Sequence, residues 1–241
     1  MAMSLHYSST YDRYPHLSAD EFAEVCHFLD RRYRQATLGS RRQHWRLDLH
    51  NALDTSPYAT GHLLTFMQIA TPLRDSSVDS LLAARLDSVS LADTADTAMM
   101  AAEDADAQLV HRHTRTRSRL PSSYVLYEIH LHPTYRLPCL WFSLHNLPID
   151  EPPLGIDTVF RHLVPPHFTD ALHRQGPISG ISIDHHPITG LPSFFIHPCL
   201  LGDAMAPFQC PKDDYLMVWI GLVGACVGLS VPTEMAMSGQ T

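Results

Sequence analysis

Hydrophobic side chains recur at helical spacing near the start of the chain. The residues at this spacing are Phe22, Val25, Cys26, Leu29 and Tyr33. Positions three or four residues apart lie on one face of a helix, so the pattern predicts an amphipathic helix of about four turns. Ser18 and Glu21 have the spacing of a capping box, and Leu17 with Phe22 has that of a hydrophobic staple. The helix is therefore predicted to begin just after Ser18.

Strand-like segments follow the first helix. The predicted strands are residues 45–50, 62–69, 124–131 and 139–144. In the first, Trp45, Leu47 and Leu49 alternate with charged or polar residues, as is typical of a half-buried strand. The last two are rich in β-branched and aromatic residues, and a short turn with two prolines joins them, which predicts an antiparallel hairpin. Together the four strands predict an antiparallel meander with the first helix on one face.

The last third of the chain contains further helices. Short ones are predicted at 157–163 and 169–175, and a Gly- and Pro-rich stretch, 176–192, has no assigned element. Residues 215–227 are apolar nearly all round, which is typical of a buried helix. Asp213 and Asp214 favour its start, because negative charge is stabilised at a helix N-terminus.

Residues 74–120 interrupt this pattern. An acidic block rich in Ala, Ser and Asp is followed by a basic run from His111 to Arg119. Such a segment buries too little apolar area to offset its ordering entropy. We therefore expect a disordered or partly helical, low-complexity insertion within a single domain that spans residues 1–241.

Composition restricts the partners and the compartment. The net charge of −8 gives no reason to expect a nucleic-acid binder. Five cysteines without a CxxC pair indicate a reducing compartment. The N-terminus lacks a signal-peptide pattern, and the apolar run Leu216–Val231 is shorter than the ~20 residues that span a bilayer. We therefore expect a cytoplasmic protein without stable membrane insertion.

Lysine is almost absent from the chain. There are 16 arginines and one lysine, Lys212. Genomic codon usage accounts for such a bias. A second interpretation is that a lysine-poor surface avoids self-modification in an enzyme that handles acyl thioesters.

Cys199 is the candidate nucleophile. The apolar run Phe194-Phe195-Ile196 ends in His197-Pro198-Cys199. Proline lacks an N–H and fixes φ, so Pro198 ends the strand and presents Cys199 on a turn. A thiol in that place is either an exposed nucleophile or a small hydrophobic residue in a loop.

Several chemistries compete for this thiol. A zinc site would draw on His185, His186, His197, Cys199 and Cys210, but their spacing is poor. A cysteine protease would need a histidine base and an orienting Asn or Asp, and no protease signature surrounds Cys199. The chain has no phosphate-binding loop. A cysteine on a turn, in a chain without well-spaced metal ligands or a phosphate-binding loop, is suited to acyl transfer through a thioester.

Three segments carry a resemblance to a known family. Residues 181–199, ISIDHHPITGLPSFFIHPC, resemble the catalytic segment of the autophagy E2-like conjugating enzymes. Residues 219–229, WIGLVGACVGL, resemble the C-terminal helix of one branch, the autophagy-related protein 10 family, and the hairpin 127–142 resembles the central strands of that branch. The lipid-conjugating sibling shares His-Pro-Cys, but the Trp-Ile-Gly-Leu-Val-Gly run points away from it.

The resemblance implies an α/β (α+β) E2-like fold: an N-terminal helix, a four-stranded antiparallel meander and a buried C-terminal helix. It implies that Cys199 accepts the ubiquitin-like autophagy-related protein 12 from the E1-like autophagy-related protein 7. Transfer to a lysine of autophagy-related protein 5 follows, without cofactor or metal. Recruitment from the cytoplasm to the preautophagosomal membrane is a further expectation. The alternatives are the lipid-conjugating sibling and a non-catalytic zinc-binding interaction module.

Transfer also needs a donor to the developing oxyanion. His197 lies two residues before Cys199, on the same side of an extended strand. It is a candidate donor or pKa-lowering neighbour, or else a residue that bonds locally to set the turn. Tyr127, Tyr135 and His130 of the hairpin are candidates for a second donor, or else core and edge residues.

Overall fold

The computed structural model describes residues 11–53, 63–73, 123–169 and 180–237. All of them belong to one of the two units into which the chain divides, residues 1–73 with 120–241. The predicted insertion, 74–120, lies outside the described residues, as do His62 and most of the predicted helix 169–175. The assignment of a single domain with a disordered insertion stays a prediction.

The first helix, α1, spans Ala19–Gln35 and begins as the sequence predicts. The Ser18 hydroxyl accepts the Glu21 N–H, and the Glu21 carboxylate accepts the Ser18 N–H in return. Both members of the predicted staple, Leu17 and Phe22, are buried. One face of α1 therefore packs on the sheet and on the last long helix.

One antiparallel sheet of six strands forms the centre of the molecule, in the order β1-β2-β3-β4-β6-β5. The strands are β1 Arg46–Leu53, β2 Leu63–Pro72, β3 Tyr124–Leu131, β4 Pro138–His145, β5 Ile181–His185 and β6 Pro192–Ile196. The first four form the predicted meander, and the mixed helix and antiparallel sheet confirm the predicted fold class. A second hairpin, β5–β6, extends the sheet beyond β4.

The two faces of the sheet differ in character. Val125, Tyr127 and Ile129 point from β3 into the core, while Glu128 and His130 point to the other face, which we call the outer face. Phe194 and Ile196 of β6 likewise enter the core, and Phe195 stacks on Trp141 on the outer face. Because side chains alternate along a strand, His197 follows Phe195 onto the outer side.

Helices complete the core after β4. The helix α2 spans Ile156–His162, one residue earlier than predicted, and α3 spans Leu201–Met205. The last long helix, α4, spans Tyr215–Val223, and a 3₁₀ turn, Gly224–Val227, continues it to the predicted end. None of the helices in the described ranges combines the length and the apolar character that crossing a bilayer requires.

Candidate active site

Cys199 lies on a single turn of 3₁₀ helix, Pro198–Leu200, directly after β6. β6 is anchored between β4 and β5 and by the core residues Phe194 and Ile196, so the turn extends from a fixed strand end. Of the five cysteines, Cys199 alone is exposed. The prediction that Pro198 presents this thiol on a turn is therefore confirmed.

The other four thiols are held in their neutral form. Burial raises the pKa of Cys139 to about 12 and that of Cys226 to about 11. Burial also raises the pKa of Cys26 and of Cys210. A thiolate is the attacking form of cysteine, so these four are poorly suited to nucleophilic attack.

His197 caps the turn that carries Cys199. Its Nδ1 accepts a hydrogen bond from the Cys199 N–H at 3.1 Å, and its own backbone is extended, as at a helix N-cap. An imidazole nitrogen that accepts an N–H carries no proton, so neutral His197 has its proton on Nε2. Of the two interpretations for His197, the geometry favours the local bond that sets the turn.

Tyr135 and His132 lie beside this cap, on the turn between β3 and β4. The Tyr135 ring is 5.3 Å from the His197 ring in an edge-on arrangement, and the His132 ring is 4.8 Å from Tyr135. Burial lowers the pKa of His132, and the charge of His197 lowers it further. The structure thus brings the Tyr135 ring against His197, the residue that caps the turn of Cys199.

Tyr127 and His130 are engaged elsewhere. The Tyr127 side chain lies in the core, where its hydroxyl donates to the Val227 carbonyl at 2.6 Å and burial raises its pKa. The Nε2 of His130 is 2.9 Å from Glu128 Oε2, and its ring stacks on Phe66. Both placements match the alternative of core residues rather than donors at Cys199.

The same hydrogen bond recurs at three His-Pro dipeptides. Nδ1 of His132 accepts the N–H of Thr134, and Nδ1 of His186 accepts that of Ile188. His197 does the same with Cys199, again two residues further on. A local bond that sets the turn was one of the two interpretations for His197, but the recurrence of this cap at His132 and His186 was not predicted from the sequence.

A Glu-His-His cluster lies on the outer face of the sheet. Glu128 Oε2 is 2.9 Å from His130 Nε2 and 2.6 Å from His186 Nε2, and Gln68 donates to the other carboxylate oxygen. Burial alone would raise the pKa of Glu128, but the hydrogen bonds from His130, His186 and Gln68 outweigh it and lower the pKa. The cluster therefore ties the turn after β5 to β3 and β2.

This cluster has metal-ligand side chains, with its ligand atoms within 4.8 Å of one another. Nδ1 of His186 accepts the N–H groups of Ile188 and Thr189, so the proton sits on Nε2 and points to Glu128. A metal would need that Nε2 lone pair, and a ligating histidine normally donates through its other nitrogen. The residues considered for the alternative of a zinc site do not come together as one metal-binding group within the described ranges; they are His185, His186, His197, Cys199 and Cys210.

Comparison with known proteins adds the family. The family model described as autophagocytosis associated protein, active-site domain, matches residues 21–234. A Gibberella zeae protein named ubiquitin-like-conjugating enzyme ATG10 is 52% identical over 235 residues, covering 94% of this chain and 98% of that protein. The human protein of the same name is 31% identical over 123 residues, 48% of this chain and 54% of its own. The Arabidopsis thaliana protein is 29% identical over 111 residues, 42% and 48%. The matched range of the family model includes most of α1, the whole sheet and Cys199.

Proposed function

Because the chain belongs to the autophagocytosis-associated family with this active-site domain, in the branch of the ubiquitin-like-conjugating enzymes ATG10, we propose a specific donor, cargo and acceptor. The enzyme is an E2-like transferase of autophagy. Autophagy-related protein 7 hands the ubiquitin-like autophagy-related protein 12 to Cys199, and a lysine of autophagy-related protein 5 receives it. The protein acts from the cytoplasm after recruitment to the preautophagosomal membrane.

The single observation that supports this proposal is the exposed Cys199 on its capped turn. In the loading step the Cys199 thiolate attacks the carbonyl carbon of the thioester on the E1-like enzyme. One C–S bond forms, another breaks, and the E1 thiolate leaves. The exchange is nearly balanced in energy, so what the enzyme supplies is access and alignment.

In the transfer step a neutral lysine amine attacks the thioester carbonyl. The C–N bond forms, the C–S bond breaks, Cys199 leaves as thiolate, and the proton of the amine is released. Desolvation of the acceptor lysine at the interface lowers its pKa and favours the neutral amine. We propose His197 as the positioning residue of the nucleophile, and Tyr135 as the candidate donor to the oxyanion.

Reconstitution tests the proposed partners. The chain is incubated with ATP, autophagy-related protein 7 and autophagy-related protein 12, and then with autophagy-related protein 5 or with vesicles that contain an aminophospholipid. We expect a thiol-sensitive adduct that is discharged to a thiol-resistant conjugate on the protein acceptor only. Discharge to the vesicles would assign the chain to the lipid-conjugating activity instead, and absence of any adduct would refute the proposal.

Two amide variants test the role of His197. In His197→Asn, the side-chain oxygen replaces Nδ1 as acceptor for the Cys199 N–H, so loading is expected to stay near the unmodified rate. In His197→Gln, the side-chain amide is one methylene longer and takes the place of Nε2 instead of Nδ1. The Cys199 N–H then has no side-chain acceptor, so the turn is left uncapped. Loss of a cap costs about 1 kcal/mol, which corresponds to a roughly fivefold lower loading rate when the cap orients the nucleophile.

His197→Ala is the reference variant for this pair, and single-turnover loading is the measurement. A loading rate that survives in His197→Gln and is lost in His197→Asn would show that His197 acts through its Nε2–H, as a donor. Comparable thermal unfolding midpoints of the variants ensure that the rates compare folded proteins.

A further inference from the structure

The only lysine in the 241 residues is inaccessible. Lys212 is 5% exposed, and its Nζ donates to the Glu24 carboxylate at 2.9 Å. The same ammonium group lies 5.7 Å from the centre of the Tyr11 ring. An ammonium that is ion-paired and enclosed in this way has no free lone pair and cannot reach a bulky thioester.

In the described part of the chain, arginines supply the permanently charged cations of the surface. Arg34, with a 73% exposed side chain, pairs with Asp30, and Arg161, 59% exposed, pairs with Glu151. Each pair is made through one guanidinium nitrogen, a contact that a lysine ammonium also makes. A lysine could therefore replace the arginine in each of these ion pairs. The two side chains differ, however, in their reactivity towards a thioester. Guanidinium stays protonated in proteins, whereas a lysine amine becomes a nucleophile when it loses its proton.

A thioester on Cys199 acylates any neutral amine that reaches it. The amine nitrogen attacks the carbonyl carbon, an amide bond forms, the C–S bond breaks, and the Cys199 thiolate takes up the released proton. An amine on the same chain has a high effective concentration, which favours this reaction over attack by a partner. A reachable lysine near Cys199 would therefore discharge the enzyme onto itself.

We infer that this chain withholds its own lysine as an acceptor, so that a loaded Cys199 is discharged only by a lysine that a partner supplies. The inference rests on the proposed function, since it concerns the fate of the thioester. Codon usage accounts for the small number of lysines but not for the burial of the one that remains. The burial of Lys212 is therefore the observation that supports the inference.

Paired substitutions next to the nucleophile test the inference. Leu200 is 64% exposed and follows Cys199 directly, and Asp203 is exposed one helical turn further on. Leu200→Lys and Asp203→Lys each place an amine near the thioester, while Leu200→Arg and Asp203→Arg add the same charge without a nucleophile. Each variant of the full chain is loaded with the ubiquitin-like protein, without acceptor, and the thiol-resistant adduct is followed over time.

At least one lysine variant is expected to accumulate thiol-resistant self-adduct about tenfold or more above the unmodified chain and its arginine counterpart. Peptide mapping should place it on the introduced lysine. A thiol-resistant adduct on the unmodified chain, at Lys212 or at the α-amino group, would overturn the inference, as would two loaded lysine variants without self-adduct. Failure of the unmodified chain to form any thioester would instead refute the proposed function.

Discussion

Replacement of Cys199 by serine is expected to abolish the thiol-sensitive adduct completely. The serine hydroxyl is far less acidic than a thiol, so it supplies almost no anionic nucleophile at neutral pH. Any product that forms on the hydroxyl of Cys199→Ser would be an oxygen ester, which resists added thiol. Non-reducing and reducing gels of the loading reaction therefore distinguish the two kinds of adduct and provide the measurement.

Cys139→Ser and Cys210→Ser are the matched controls. Both thiols are buried, and burial raises the pKa of each, so neither is expected to carry the adduct. The Cys139 thiol donates to the Ile196 carbonyl at 3.2 Å, a bond that serine also makes. Both controls should load at rates close to that of the unmodified chain. A thiol-sensitive adduct of full intensity in Cys199→Ser would contradict the assignment of the nucleophile.

The elements that the sequence predicts well are those with local causes. The start of α1 is set by Ser18 and Glu21, which meet across one helical turn, and the structure shows both of their hydrogen bonds. The β3–β4 hairpin needs only two neighbouring strands rich in β-branched and aromatic residues and the short turn between them. In each case residues that are close in sequence supply the interactions, so a pattern within a few residues is sufficient.

One strand was missed although its partner lies close in sequence. The segment Ile181–His185 is half-exposed and has no clear alternation of burial, so its own pattern does not mark β5, which pairs with β6. Other contacts have distant causes: the Tyr127 hydroxyl donates to the carbonyl of Val227, which is 100 residues away. Periodicity carries no information about such contacts, because they are created when the sheet and α4 assemble.

The candidate site also contains some features with local causes and others with distant causes. The exposure of Cys199 follows from the local His-Pro-Cys sequence, and the prediction holds. The recurrence of the Nδ1 cap at three His-Pro dipeptides is also local, but among seventeen histidines the repeat is hard to separate from chance. The approach of Tyr135 to His197 depends instead on the position of the β3–β4 turn relative to the end of β6.

Two glycines of the C-terminal helix are expected to respond oppositely to alanine. A Cβ at Gly224 would lie 2.5 Å from the Leu229 carbonyl oxygen and 3.0 Å from Leu229 Cβ, because the chain turns back against the helix end there. A Cβ at Gly221 would meet nothing within 4 Å. The two positions therefore separate the packing role of glycine from its low helix propensity.

Gly224→Ala should destabilise the protein by about 2–3 kcal/mol, because the backbone of Leu229 must move to admit the methyl group. That movement also disturbs the Leu229 N–H bond to the Gly224 carbonyl and the end of the turn that holds Val227, the acceptor for Tyr127. Gly221→Ala should be neutral or stabilise by up to about 1 kcal/mol, because alanine has the higher helix propensity. Urea unfolding followed by circular dichroism measures both changes. Equal stability of the two variants would show that Leu229 relaxes freely, and that the glycine at 224 is not required for the close packing of this turn.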